Sequence, residues 1–146
     1  MSDGPGNTPI NDGEKLARFS VNRGEAHTDG TVRDSLFLPP QDLHLSVNRH
    51  HGLSEEALWS YGRSVAKQRS KPLHGRADLL CKACREQGLQ VVPDPLDGNP
   101  YHTHVIGWPA DKPTRKMITI QLAKAAGKLI PPPCDETHTQ VINTVL

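Results

Sequence analysis

Two histidines stand one residue apart in the stretch YHTHVIGWPADKP, Tyr101 to Pro113. In an extended chain His102 and His104 project from one face, because side chains alternate along a strand. Two imidazoles on one face serve as neighbouring metal ligands or as an acid–base pair. The same spacing also arises on any wet strand face that happens to carry two imidazoles. A second cluster ends the stretch LHLSVNRHHG, Leu43 to Gly52. There Leu43, Leu45 and Val47 read as a buried strand face, and His44, Ser46 and Asn48 as a wet one. Arg49 falls in step with the buried face and His50 with the wet one. If this run and Tyr101–Gly107 pair in one sheet, Arg49 or His50 stands near one end of the His102/His104 row. Such a patch suits an anion, a metal or an acidic partner surface. Arg49 is the group costliest to leave without an acceptor, because its planar fork demands one.

Three further constellations carry weight. In HGRADLL, Arg76 and Asp78 stand at the expected start of a helix, where Asp78 complements the helix dipole and pairs with Arg76. Alternatively, Arg76 beside those helix amides helps to hold a phosphate or carboxylate. Cys81-x-x-Cys84 together with Cys134-x-x-x-His138 makes two short pairs, the layout of a structural zinc site. Two small soft residues three apart are equally what an apolar helix face wants. The corner at Trp108-Pro109, followed by Asp111 and Lys112, reads as a rigid strand-to-helix turn. The letters SVNR occur twice, at 20–23 and 46–49, but their surroundings differ and a chance echo is the better account.

The elements that must position these groups are legible in outline. LARFSV reads as a first strand, and the Leu43–Val47 run as a second. Ser54 caps a helix through SEEALWSYGRSVAKQR, with acidic residues in its first turn and basic ones in its last. Its stripe is Leu58, Tyr61 and Val65; Trp59, off the centre of that stripe, is the aromatic anchor expected for a partner surface. A second helix is expected over ADLLCKACREQG, closed by Gly88. LQVVP and YHTHVIGW read as neighbouring strands joined by the turn-forming DPLDGNP. A third helix starts at Asp111 with Pro113 in its first turn, facing Met117, Ile118, Leu122 and Ala125 inward. The order is β-β-α-α-β-β-α: an α+β domain, a small mostly antiparallel sheet packed against about three helices. Residues 1–14 read as a disordered lead, 15–133 as one domain and 134–146 as a tail.

Composition excludes some classes. The chain has 146 residues, 35% of them hydrophobic, with 13 prolines, 12 glycines and a net charge of +1. That near-neutral balance gives no pull toward nucleic acid or an anionic membrane. No stretch approaches the roughly 20 apolar residues of a membrane span. The start, MSDGPGNTPINDGEK, has neither a basic nor an apolar leader region, and three cysteines make a poor disulfide framework. A cytoplasmic protein with reduced thiols is expected.

The C-x-x-C followed by an H-x-H strand resembles the ββα-metal (HNH) nucleases, which implies a histidine activating water against a metal-bound phosphodiester. No second C-x-x-C is present, and a helix rather than a hairpin precedes the histidines. HLSV at His44 and HTHV at His102 resemble the paired H-x-[Thr/Ser]-x motifs of two-histidine phosphoesterases. His104, however, stands where the second hydroxyl belongs. From Leu16 to Pro133, the runs LSVNR, GLSEEALWSYG, GRADLL, GLQVVPDP and HTHVIGWPADKP resemble an uncharacterised family of small bacterial proteins. That resemblance implies an accessory gene of a multi-gene defence or conflict system, and no reaction.

The leading expectation is therefore a non-enzymatic module binding a partner protein through Trp59, Arg49, Trp108 and Lys112, with no cofactor and with its oligomeric state open. The alternative is a metal-assisted or histidine-based phosphodiesterase using His102 and His104, with Arg49, His50 and Arg76 as further candidates. A zinc-stabilised binding domain on the four Cys/His ligands is the third. The phosphodiesterase requires Arg49 or His50 to converge on the His102/His104 face.

Overall fold

The computed structural model describes residues 5–133. Five strands form one sheet: β1 (Lys15–Ser20), β2 (Leu45–Arg49), β3 (Gly75–Leu80), β4 (Gln90–Pro93) and β5 (His102–Ile106). Their order is β3-β1-β2-β5-β4, and every neighbouring pair is antiparallel. Three helices, α1 (Glu55–Gln68), α2 (Cys81–Glu86) and α3 (Lys112–Ala126), complete the α+β domain that the sequence leads one to expect.

Strand alternation divides the core between the two faces. Leu16, Leu45, Val47, Ala77, Leu79, Val91 and Val105 join Phe37, Ile118 and Leu122 in the larger cluster, under α3 and a short 3-10 turn at Asp34–Phe37. Ala17 and Phe19 point the other way and pack on Leu58 of α1. Helix α1 starts as expected, with Ser54 Oγ accepting from the Ala57 amide. Its buried stripe is Leu58, Trp59, Gly62 and Ala66, with Tyr61 and Val65 at the margin. Helix α3 is capped by Asp111 through the Thr114 amide, with Pro113 in its first turn.

Four expectations are corrected. GRADLL is a strand, not the start of a helix. Ala77 and Leu79 alternate inward and pair along the whole of β1, an edge that would otherwise be open. The helix that follows is only six residues long. Secondly, residues 5–14 of the expected lead are pinned to the domain: Ile10 is in the core, and Arg85 binds the Ile10 carbonyl and Asp12. Thirdly, the second strand starts at Leu45, because Leu43 turns with φ at +60°. Finally, Met117 is 67% exposed and Ala125 faces water, while Thr119 and Ala123 take their places inside. Thr119 is tolerated there because its hydroxyl donates to the Lys116 carbonyl within the helix.

Candidate functional site

Helix α1 covers the β3-β1 part of its face of the sheet through Phe19, Arg76 and Asp78, whose neighbours are Leu58, Trp59 and Glu55. The β5-β4 part of that face carries the histidines. β2 pairs with β5 in the expected way, placing Ser46 opposite His104 and Asn48 opposite His102. His102 and His104 therefore share the wet face, their rings 5.0 Å apart, and His44 extends the row at 4.9 Å from His104.

Asp94, just beyond the end of β4, closes on both imidazoles. Its Oδ2 lies 3.2 Å from His102 Nδ1 and 3.6 Å from His104 Nε2. His102 Nδ1 is also 3.0 Å from the Asp94 carbonyl, which fixes the ring's orientation. One ligand atom from each of the three residues falls within 4.8 Å of the others, close enough to share a metal ion. Burial pushes the His104 pKa below its usual 6.5, with His102 and His44 adding to the effect and Asp94 opposing it. That direction favours the neutral imidazole that ligation needs. Two histidines and a carboxylate form a donor set for Zn²⁺, Fe²⁺ or Mn²⁺. The carboxylate side is open, since the Asp94 side chain is 42% exposed. The turn that presents it closes tightly, with mutual Leu96 and Asn99 backbone hydrogen bonds and Gly98 at φ +81°.

A groove of about 340 Å³ adjoins this centre and shares His102 with it. It runs between α1, the 96–99 turn and β2, with Asn48, Tyr61, Arg69 and Asn99 among its walls. Asn99 Nδ2 donates to Asn48 Oδ1 at 2.6 Å, tying the turn to β2.

The other anticipated residues lie elsewhere. Arg49 is on the opposite face of β2, fully buried, because it keeps step with Leu45 and Val47. It donates to both Glu14 carboxylate oxygens, at 2.6 and 2.7 Å, and to the Gly6 and Thr8 carbonyls. His50 turns toward β3, where Nε2 lies 2.9 Å from Asp78 Oδ1. Arg76 is a strand residue bridging Asp78 and Glu55 with its guanidinium on the Trp59 ring, so it does not stand at the start of the helix that follows GRADLL. Its bonds hold the Glu55 carboxylate below its usual range, and at Asp78 the hydrogen bonds of His50 and Arg76 together outweigh the burial that raises it. Neither Arg49 nor His50 converges on the histidine row; Asp94 and His44 do.

Trp59 and Trp108 are buried, at 3% and 6% exposure, and offer no aromatic anchor at the surface. Trp108 donates to the Val105 carbonyl and fixes the turn into α3, while Lys112 is exposed at the first position of that helix. Cys81 and Cys84 are buried free thiols, and desolvation pushes the Cys84 pKa up to about 12. Cys134 and His138 lie outside the described residues.

The carboxylate was missed from sequence because DPLDGNP reads only as a turn. The signal available was Asp94 immediately after one strand of a pair whose partner carries H-x-H, which places it beside that row.

Fold and cluster together define a small antiparallel α+β domain with a two-histidine, one-carboxylate group on its partly uncovered sheet face. Comparison with family models, with curated proteins and with solved structures found no match to the chain.

Proposed function

We propose that this protein is a metal-dependent hydrolase of phosphate esters, with Asp94, His102 and His104 as the ligands of one divalent transition metal. The convergence of Asp94 Oδ2 on the two imidazoles carries the reading. The neutral state favoured at His104 and the open carboxylate side support it. A metal held by Asp94, His102 and His104 would supply a water of lowered pKa and polarise the ester phosphate, and attack of that water on phosphorus would break the ester P–O bond and release the alcohol. His44, beside His104, is the chain's candidate to pass the water proton to the departing alcohol oxygen. A bacterial cytoplasm suits this chemistry, as do the free thiols.

The test is calorimetry with Zn²⁺ and Mn²⁺, followed by turnover of p-nitrophenyl phosphate. One equivalent of metal should bind, with affinity falling at least about tenfold in His104→Gln and Asp94→Asn, and hydrolysis should follow metal occupancy. Absence of binding, or binding indifferent to those substitutions, overturns it.

A second reading, a non-enzymatic accessory module engaging a partner protein in a defence or conflict system, draws on one observation. Strand β4 pairs only with β5 among the described residues, leaving an edge beside exposed Val92 and Leu96 for an added strand.

A further inference from the structure

We propose that the groove beside the metal centre is a binding subsite for a small phosphate ester, with Arg18 and Arg69 holding the phosphate. Both arginines line it. Neither has a carboxylate oxygen within 4.0 Å among the described residues, whereas Arg49, Arg76 and Arg85 all do.

Arg18 is placed by the end of a ladder. β1 and β2 pair only at Leu16–Arg49 and Ala17–Asn48. Beyond that point the Arg18 guanidinium fills the gap, donating from Nη1 to the Ser46 carbonyl at 3.0 Å and from Nε to the Leu36 carbonyl at 2.9 Å. Those bonds fix its plane and leave N–H groups of the fork for an acceptor. Arg69 ends α1 on the facing wall. Burial, with the charge of Arg69 adding to it and Glu25 opposing, lowers the Arg18 pKa to about 10. Two cations facing one groove, neither in contact with a carboxylate among the described residues, are the arrangement that a dianion relieves. Among the described residues, Asp97, exposed on the turn, is the only acidic residue along the groove.

The remaining walls specify the rest of the ligand. Phe19, Tyr61, Val65 and Leu96 offer an apolar and aromatic surface. The volume, about 340 Å³, is that of a small-molecule site and not a track for a polymer. The near-neutral net charge agrees with a small ester rather than a nucleic acid. His102 lies at the junction with the metal ligands, so a phosphate held here is presented toward them. The subsite stands without metal; its role in presenting substrate for hydrolysis rests on the function proposed above.

The experiment titrates ¹⁵N-labelled, EDTA-treated protein with phenyl phosphate and with inorganic phosphate. Amide shifts should centre on Ser64, Gln68 and Asn99, with phenyl phosphate the tighter of the two. Arg69→Gln, at an exposed helix end, should weaken binding at least about tenfold. Lys67→Gln, the same charge change on α1 outside the groove, should alter it by less than about twofold. Equal losses from Lys67→Gln and Arg69→Gln, or shifts centred elsewhere, would overturn the subsite. Phenyl phosphate binding no tighter than phosphate would overturn the ester assignment. Because metal is absent throughout, failure of this titration removes the subsite alone, and failure of the calorimetry removes the metal centre alone.

Discussion

At the scale of single residues, Arg49 carries the most structure. Among the described residues it is the largest fully buried side chain, and its fork gathers Glu14 and the carbonyls of Gly6, Thr8 and Pro9. Truncation leaves the Glu14 carboxylate and several carbonyls without their donor. Arg49→Ala should therefore destabilise the fold by about 3–5 kcal/mol in urea unfolding and expose residues 5–14 to protease. Arg49→Lys should recover little of this, since one ammonium cannot span the same acceptors. Unchanged protease resistance in Arg49→Ala would contradict the account. His104 makes a separate prediction about pH. Its folded pKa lies below the 6.5 of an ordinary imidazole, so the unfolded chain takes up the proton first as pH falls. The contribution is complete above about pH 6.5 and is lost as pH drops through the folded value. Titration by NMR should place His104 below that reference. Asp94→Asn should move it lower still, because Asp94 is the neighbour that raises it. A rise in Asp94→Asn would show that the carboxylate does not face the ring.

At the scale of elements, α1 packs closely against β1. A Cβ at Gly62 would stand 2.6 Å from Phe19 Cε1, so the helix rests directly on that ring. Ala normally favours a helix interior over Gly by about 1 kcal/mol. Here Gly62→Ala should instead destabilise by about 1–3 kcal/mol, because α1 or Phe19 must move. A more stable variant in chemical denaturation would refute this packing. The same junction explains what the sequence could reveal. The capped ends of α1 and α3 rest on local chemistry at Ser54, Asp111 and Pro113, and were legible. The alternation in LSVNR and HTHVI was legible too, and it put the two strands in one sheet. GRADLL was not, because its six residues fit a helical stripe as well as a strand. What decides it is β1's need for a partner, a non-local demand. Trp59 was misplaced for a related reason: α1 rotates to seat Gly62 on Phe19, which carries Trp59 inward beneath Arg76. Asp94 escaped notice because loop composition does not report which way a carboxylate points.

At the scale of the whole molecule, the polar networks divide by region. Arg49 and the N-terminal segment lie on one face, and the Arg76–Asp78–Glu55 group joins β3 to α1 on the other. The outer edge of β3 is itself bridged, with Arg76 and Ile130 exchanging backbone hydrogen bonds. The β4-β5 end has no comparable clasp among the described residues beyond the Asn99–Asn48 bond and the Asp94 contacts. It is also where the three proposed ligands meet, so metal should act as a local staple there. Binding to the folded state alone adds about 2.7 kcal/mol at a hundredfold excess over Kd. Zn²⁺ should accordingly raise the melting temperature, and hydrogen exchange should slow most across Gln90–Ile106 and much less in α3. The gain should shrink as pH falls, because protons compete for the imidazoles. It should fall by about half or more in Asp94→Asn and persist in Cys84→Ser, measured as the shift on adding metal and not as absolute stability. If Cys84→Ser abolishes the gain while Asp94→Asn preserves it, the metal sits at the thiols, and the histidine row is a wet strand face with an ion pair.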